Sequence, residues 1–237
     1  MELSHGVKMI FPVRRQIETS HTEFVASWFA HHMPFTINAM GDQGWGYIGT
    51  AFNHSDDIQD PPWDGIAQMF LNKPLPNPPG GFGVIPADSF HERAVQPYFG
   101  WATTEFIVVP GGDQLEVRPL TLGEPFPTSR SGFFKVVIFT PASRNTDPQQ
   151  LETHWRRTRA PQIEQAMTEV GGFRYVVSLD QGNEIGEQIS AFAAMEELYF
   201  NNPADWDNFL TIVKPDPLVP DHAPHYFSDT EFVAIPA

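Results

Sequence analysis

The chain contains an internal repeat, and this repeat limits the folds open to it more than any other sequence feature. Shifts of 126 to 129 residues align the two halves, and the small drift falls between predicted elements, where insertions are tolerated. The aligned pairs are Lys8 and Lys135, Trp28 and Trp155, Pro34 and Pro161, Tyr47 and Tyr175, Asn72 and Asn201, and the Thr-Glu-Phe segments 104–106 and 230–232. A fold for this chain must therefore use one small unit twice.

Both copies show the same order of hydrophobic patterns. Apolar runs predict strands at 7–13, 45–53, 63–71 and 104–109 in copy one, and at 133–140, 173–179, 191–200 and 230–235 in copy two. A first helix is predicted after a capping box at Ser20 in copy one and after Asp147 and Pro148 in copy two. A second helix is predicted at 203–213, capped by Asp205, with a weaker counterpart at 86–94.

The order β-α-β-β-α-β predicts an α+β fold of tandem ferredoxin-like repeats. We expect a first repeat at 1–110, a Pro- and Gly-rich linker at 111–131 and a second repeat at 132–237. Each predicted sheet has an apolar face that needs cover. The two repeats are therefore expected to pack on each other as an intramolecular dimeric α+β barrel, and a homodimer of whole chains stays open.

Composition excludes several classes of partner and chemistry. The net charge is −15 and is spread over both halves, which disfavours nucleic acid and anionic membrane surfaces as partners. The absence of cysteine excludes disulfides and thiolate metal sites. Without an apolar leader pattern or a long apolar stretch, we expect a cytoplasmic protein.

One helical segment carries a family resemblance. Phe24, Trp28, His32 and Pro34 resemble the first-helix signature of the EthD-domain family, in the dimeric α+β barrel superfamily. Further matches are the segments 63–67, 104–106, 194–196 and 230–232. The resemblance implies sheets that pair to close a barrel and, generally, catalysis without a cofactor. Family relatives include a lactone isomerase and enzymes that dehydrate or decarboxylate polyketides, and the wider superfamily includes haem enzymes and small monooxygenases.

His32 is the leading catalytic candidate. It lies one helical turn after Trp28 and should face the sheet, and histidine is suited to moving protons near neutral pH. It also occupies the position where the family has its acid/base histidine. A buried structural histidine is the alternative. His54, after the second strand, is a second catalytic candidate, although a surface-loop position is at least as consistent with its sequence context.

Copy two departs from copy one at these positions. Arg159 stands where copy one has His32, and arginine cannot shuttle protons at neutral pH. Either the second pocket is closed and structural, which we favour, or Arg159 binds a substrate carboxylate. The sequence therefore predicts that catalysis is confined to copy one.

The remaining substrate-binding candidates are aromatic. They are Trp28, Tyr47, Phe52 and Phe82, for each of which core packing is the competing interpretation. The insertion 73–83 has no counterpart in copy two and is too rich in proline for a strand or helix. We expect its segment 78–82 to cover the mouth of the copy-one pocket.

Together these features favour a cofactor-independent enzyme of the lyase or isomerase type, with His32 as acid/base catalyst. Its substrate would be a hydrophobic aromatic or polyketide-like carbonyl compound, as the resemblance implies. A non-catalytic small-molecule binding or accessory protein is one alternative. A cofactor-free or haem-dependent oxygenase is another. We expect no metal site, because no ligand spacing in the sequence specifies one.

Overall fold

The computed structural model describes residues 1–53, 63–76, 78–84, 88–115, 127–142, 147–181, 192–220 and 223–234. Within these ranges the strands are β1 Glu2–Leu3, β2 Val7–Val13, β3 Gly44–Ala51, β4 Gly65–Leu71, β5 Trp101–Pro110, β6 Thr128–Pro141, β7 Arg174–Asp180, β8 Phe192–Phe200 and β9 His225–Ala234. The α-helices are α1 His21–Ser27, α2 Met33–Met40, α3 Pro148–His154, α4 Ala160–Val170 and α5 Pro203–Ile212.

The chain divides into two compact units. The N-terminal unit comprises Gly6–Trp101, Val117–Ser131 and Thr230–Ala237. The C-terminal unit comprises Met1–His5, Ala102–Glu116 and Gly132–Asp229. These units follow spatial contacts and so differ from the sequence divisions at 110 and 132, which stay a prediction about the repeat.

The N-terminal unit contains a sheet with the strand order β2-β4-β3-β9-β6. Strand β4 lies between β2 and β3 and is antiparallel to both, with Phe70 opposite Lys8 on one side and Gly46 on the other. On the far side of β3, residues 230–234 of β9 add a further antiparallel strand, with Phe232 opposite Gly49. A strand from the second sequence copy thus completes a sheet made mostly from the first.

The C-terminal unit contains a sheet with the strand order β1-β5-β7-β8-β6-β9. Strand β8 is antiparallel to β6 and to β7, and β7 is antiparallel to β5, which comes from the first sequence copy. The core of this unit lies between the sheet and helices α3, α4 and α5. It includes Trp155, Ile163, Phe200 and Phe209, which are almost fully buried.

The repeated Thr-Glu-Phe segments stabilise the strands that cross from one copy to the other. Glu231 in β9 is fully buried, accepts a hydrogen bond from the Thr50 hydroxyl at 3.1 Å, and pairs with Arg130 at 2.7 Å. Glu105 in β5 accepts a hydrogen bond from the Ser4 hydroxyl at 2.7 Å. A buried carboxylate must be hydrogen-bonded or paired, so these contacts favour one placement for each strand.

The prediction of tandem ferredoxin-like repeats forming an intramolecular dimeric α+β barrel is wrong. Neither copy forms a self-contained β-α-β-β-α-β unit, because β5 pairs with β7 of copy two and β9 pairs with β3 of copy one. The described part of the second helix predicted at 86–94 is not helical either, since residues 89–93 form turns. Hydrophobic periodicity identifies a strand, but it does not identify the neighbouring strand to which its backbone groups are hydrogen-bonded.

The first helix of each copy contains a π-helical turn at the same place, Trp28–His32 in copy one and Trp155–Arg159 in copy two. The backbone N–H of Met33 donates to the carbonyl of Trp28, five residues back, and that of Ala160 donates to Trp155. A proline follows each turn. Proline lacks an N–H and its ring crowds the carbonyl four residues back, so the widened turn relieves that clash.

Helix ends follow the sequence signals in most places. The Ser20 side chain accepts a hydrogen bond from the Glu23 N–H at 3.2 Å, and Asp147 accepts one from the Gln149 N–H at 2.9 Å. The predicted cap of α5 is wrong by three residues: Asn202 accepts from the N–H of Asp205, which lies inside the helix. Among the described residues, no helix combines the length and apolar character needed to cross a membrane.

Candidate functional site

A cavity of about 330 Å³ opens within the N-terminal unit, between α2, the sheet and loop residues of the segments 78–84 and 88–98. Among the residues that the structure describes, its lining contains no Lys, Arg, Asp or Glu side chain. The lining residues are Phe11, Val13, Trp28, His32, Phe35, Thr36, Ala39, Met40, Gln43, Tyr47, Ala67, Met69, Leu71, Leu75, Phe82, Gly83, Phe90, His91 and Tyr98. Such a volume is at the small end of ligand pockets, and this lining fits an uncharged, largely apolar molecule.

His32 lies in the cavity wall and pairs with a carboxylate. Its Nδ1 atom is 2.8 Å from Oδ2 of Asp88, and its ring stacks on Phe90 with 4.4 Å between centroids. Its Nε2 atom is 3.3 Å from the Thr36 hydroxyl. With Asp88 accepting from Nδ1–H, Nε2 carries the lone pair and can accept a proton. The π-helical turn ends at His32 and so sets its position on the helix.

Asp88 is held by the loop that follows the insertion. Its Oδ1 atom accepts hydrogen bonds from the backbone N–H groups of Phe90 at 3.0 Å and His91 at 3.3 Å. Burial alone would raise the pKa of this carboxyl, but the hydrogen bond and charge of His32, with the nearby His91, bring the pKa below its usual value. Asp88 is therefore ionised at neutral pH, and Oδ2 faces His32.

A second histidine extends the network. His91 Nδ1 is 3.3 Å from Asp88 Oδ1, and its Nε2 is 2.8 Å from the hydroxyl of Tyr98. Burial, and then the neighbouring His32, lower the pKa of His91, so its ring is neutral at neutral pH. Burial raises the pKa of Tyr98, so its hydroxyl keeps its proton. Two imidazoles thus flank one carboxylate.

A buried tyrosine provides another polar group in the cavity. The indole N–H of Trp28 donates to the Tyr47 hydroxyl at 3.0 Å, and both side chains are almost fully buried. Burial raises the pKa of Tyr47, so the hydroxyl is protonated. The bond from Trp28 orients the oxygen, so that the O–H can donate to a substrate oxygen.

Comparison with known proteins finds solved structures of similar fold, but it does not assign the chain to a family. No family model matches the chain, and no curated protein matches it. The resemblance to the EthD-domain family therefore stays a prediction.

Several solved structures resemble the whole chain at low identity. A chlorite dismutase variant from Candidatus Nitrospira defluvii has a TM-score of 0.49 at 8% identity, covering 98% of this chain and 92% of its own. A proposed monooxygenase from Fusobacterium nucleatum has a TM-score of 0.43 at 7% identity, with 96% and 92% covered. A haem-binding protein from Thermus thermophilus has a TM-score of 0.41 at 12% identity, with 98% and 92% covered.

These likenesses are too distant to carry an argument about activity. None of the three proteins is described as a lyase or an isomerase. They therefore give no support to the expectation of a lyase or isomerase. Only the chemistry of the cavity can then support a function for this chain.

The corresponding position in the C-terminal unit is filled by an ion pair. Arg159 makes three hydrogen bonds of 2.8 to 3.2 Å with the carboxylate of Glu196, and both residues are buried. Tyr175 also donates a hydrogen bond to Glu196. The strand registers place Tyr175 opposite Leu198 and Tyr47 opposite Met69, so Glu196 corresponds to Ala67, which lines the cavity of the N-terminal unit.

The structure brings together some of the predicted site residues and separates others. Trp28, His32, Tyr47 and Phe82 all line the cavity. Phe52 is buried but is not among the lining residues, and Arg159 lies in the C-terminal unit on Glu196. His54 lies outside the described residues. Their catalytic and substrate-binding roles stay predictions.

Sequence reasoning missed Asp88, His91 and Tyr98. The first two have a spacing of three residues, which is a weak signal because many surface turns show it. The sequence pattern favours a helix at 86–94, and such a pattern does not indicate a contact with His32. Tyr98 is brought to the cavity by backbone pairing with Phe82: the Phe82 N–H donates to the Tyr98 carbonyl at 2.8 Å.

Proposed function

We propose that the chain is an enzyme that abstracts a proton from an uncharged, apolar carbonyl compound bound in the cavity of the N-terminal unit. The pairing of His32 with Asp88 in the wall of an otherwise apolar cavity carries this proposal. A histidine whose Nδ1–H is fixed by a carboxylate presents Nε2 as a base of defined orientation.

In the proposed step, His32 Nε2 takes a proton from the carbon next to the substrate carbonyl. The electron pair of the broken C–H bond moves to the carbonyl oxygen and gives an enolate. Asp88 stabilises the imidazolium that forms, and the Tyr47 hydroxyl donates a hydrogen bond to the enolate oxygen. Phe82 and Phe35 would hold the apolar part of the substrate.

A cofactor-free oxygenase is the second candidate, because it would use the same first step. The enolate would then transfer an electron to dioxygen and form a carbon–oxygen bond. The uncharged lining supports this candidate, since dioxygen is itself apolar and enters such cavities readily. Oxygen uptake coupled to substrate loss would distinguish this reaction from proton transfer alone.

Haem fits this cavity poorly. Haem carries two propionate groups, and the described lining residues include no Lys or Arg to pair with them. We therefore favour the cofactor-free form of the oxygenase alternative. A Soret band that purifies with the protein and is lost in His32→Ala would reverse this preference.

Deuterium exchange tests the proposal without knowledge of the final product. The protein is incubated in D₂O with a panel of uncharged aromatic ketones and lactones, and mass spectrometry measures incorporation at the carbon next to the carbonyl. His32→Ala should lower the exchange rate by about 10²–10⁴, the usual contribution of a general base.

His31→Ala is the matched control, because His31 is the adjacent histidine on the same turn and is exposed. It should exchange like the unmodified protein. Equal rates in His32→Ala and His31→Ala, with a compound shown to bind in the cavity, would refute the proposal. Retained binding without any exchange by the unmodified protein would instead favour the accessory-protein alternative.

A further inference from the structure

Two histidines of the cavity wall, His32 and His91, and the neighbouring Asp88 together have the composition of a metal site. His32, Asp88 and His91 can each offer one ligand atom, and these atoms all lie within 4.8 Å of one another. Asp88 approaches each imidazole with a different oxygen: Oδ2 lies 2.8 Å from His32 Nδ1, and Oδ1 lies 3.3 Å from His91 Nδ1. Ligand atoms on a tetrahedral ion with bonds of about 2.1 Å are roughly 3.4 Å apart.

The outer ring nitrogens provide a second, independent observation. A metal-binding histidine nearly always hydrogen-bonds a polar partner through the nitrogen that does not face the metal. His91 Nε2 is 2.8 Å from the Tyr98 hydroxyl, and His32 Nε2 is 3.3 Å from the Thr36 hydroxyl. Both hydroxyl oxygens can accept from an Nε2–H group, which would leave Nδ1 of each ring to bind an ion.

Asp88 is also preorganised as a ligand. Two backbone N–H groups hold its Oδ1 atom, so the carboxylate is oriented before any ion arrives. Both histidines line the cavity, so coordination positions opposite the three ligands would face the space available to a small molecule. Two imidazoles and one carboxylate with open positions suit zinc and divalent iron, cobalt or nickel.

We propose that His32, Asp88 and His91 bind one divalent transition-metal ion in the wall of this cavity, with open coordination positions that face the bound substrate. The site does not depend on the proposed proton transfer. The ion would bind His32 Nδ1, which then cannot carry the proton that it donates to Asp88. The bound ion would therefore replace the His32–Asp88 hydrogen bond.

Binding of cobalt(II) tests this proposal directly. The purified chain is stripped with EDTA, dialysed and titrated with Co²⁺, and the visible absorption of the ion and isothermal titration report binding. We expect one equivalent per chain, displaced by Zn²⁺. Asp88→Asn and His91→Ala should each weaken binding at least tenfold while the far-ultraviolet circular dichroism is unchanged.

His154→Ala is the matched control. His154 is a partly buried histidine paired with the carboxylate of Asp216 at 2.9 Å, and within the described part of the chain this pair belongs to no group of three metal-binding side chains. This variant should bind Co²⁺ like the unmodified chain.

X-ray absorption of the zinc-loaded unmodified protein identifies the metal ligands without a variant, so it tests the proposal even if a variant fails to fold. It should show scattering from two imidazole rings. Stoichiometric binding that Asp88→Asn and His91→Ala leave unchanged, a signal without two imidazoles, or no binding by the unmodified chain would each overturn the proposal.

Discussion

The buried pair of Arg159 and Glu196 should be the most sensitive point for stability in the C-terminal unit. Replacing Arg159 with methionine keeps most of the side-chain volume but leaves the Glu196 carboxylate buried without its ion pair, with Tyr175 as a remaining donor. Leaving a buried charge unpaired costs roughly 3–5 kcal/mol. Because Tyr175 still donates to Glu196, we expect the lower end, about 3 kcal/mol.

Urea unfolding measures this loss. With a denaturant slope of roughly 2–3 kcal/mol/M, the midpoint should fall by about 1–1.5 M. The double variant Arg159→Met with Glu196→Gln removes both charges and keeps an amide oxygen for Tyr175, so it should recover most of the loss. Burial alone would lower the pKa of Arg159, but Glu196 raises it, so the guanidinium is charged at any pH at which the chain is folded.

A surface pair gives the matched control for this experiment. Arg156 pairs with Glu152 at 2.7 Å, and both side chains are more than two-fifths exposed. Such pairs contribute about 0–1 kcal/mol, so Arg156→Met should hardly move the midpoint. A loss of less than about 1 kcal/mol in Arg159→Met would contradict this prediction, and so would a double variant no more stable than Arg159→Met.

Three further results are expected from the N-terminal unit. Tyr47→Phe removes the acceptor of the Trp28 N–H, so thermal unfolding should show a loss of stability of about 1–3 kcal/mol. Deuterium exchange should slow by roughly 10²-fold, and an unchanged exchange rate would show that Tyr47 has no part in the mechanism. The pKa of His91 lies below 6.5 in the folded chain, so the unfolded chain binds more protons and the free energy of unfolding should fall as pH drops below about 6.5. Urea midpoints measured between pH 7 and 5 would show this fall, and in His91→Gln this part of it should disappear. Shortening the insertion 73–83 should leave the circular dichroism unchanged. It should raise KM, because Phe82 and Leu75 line the cavity, and unchanged kinetics would contradict a covering role for this loop.

The sequence predicts individual strands and helix caps well, but it does not predict which strands pair with each other. The strand at Val7–Val13 and the caps at Ser20 and Asp147 follow from periodicity and hydrogen-bond chemistry within a few residues. The pairing of β5 with β7 and of β9 with β3 depends on contacts about 70 to 180 residues apart, which no local pattern encodes.

The candidate site shows the same division between local and distant information. The position of His32 one turn after Trp28 indicated an inward-facing side chain, and the structure places it in the cavity wall. Asp88 and His91 belong to a loop without periodicity, and only the folded chain brings them to His32. The π-helical turns at Trp28–His32 and Trp155–Arg159 also went unpredicted, although Pro34 and Pro161 each remove the N–H needed for a regular turn.

The strand that β9 contributes to the N-terminal unit has a consequence for synthesis on the ribosome. Strand β3 pairs with residues 231–234, so the N-terminal unit cannot complete its sheet until the ribosome has made residue 234. Until then, the edge of β3 exposes unpaired backbone groups, which favour association with other chains. A nascent chain stalled after residue 110 would carry His32 and Asp88 and still lack a finished sheet around them.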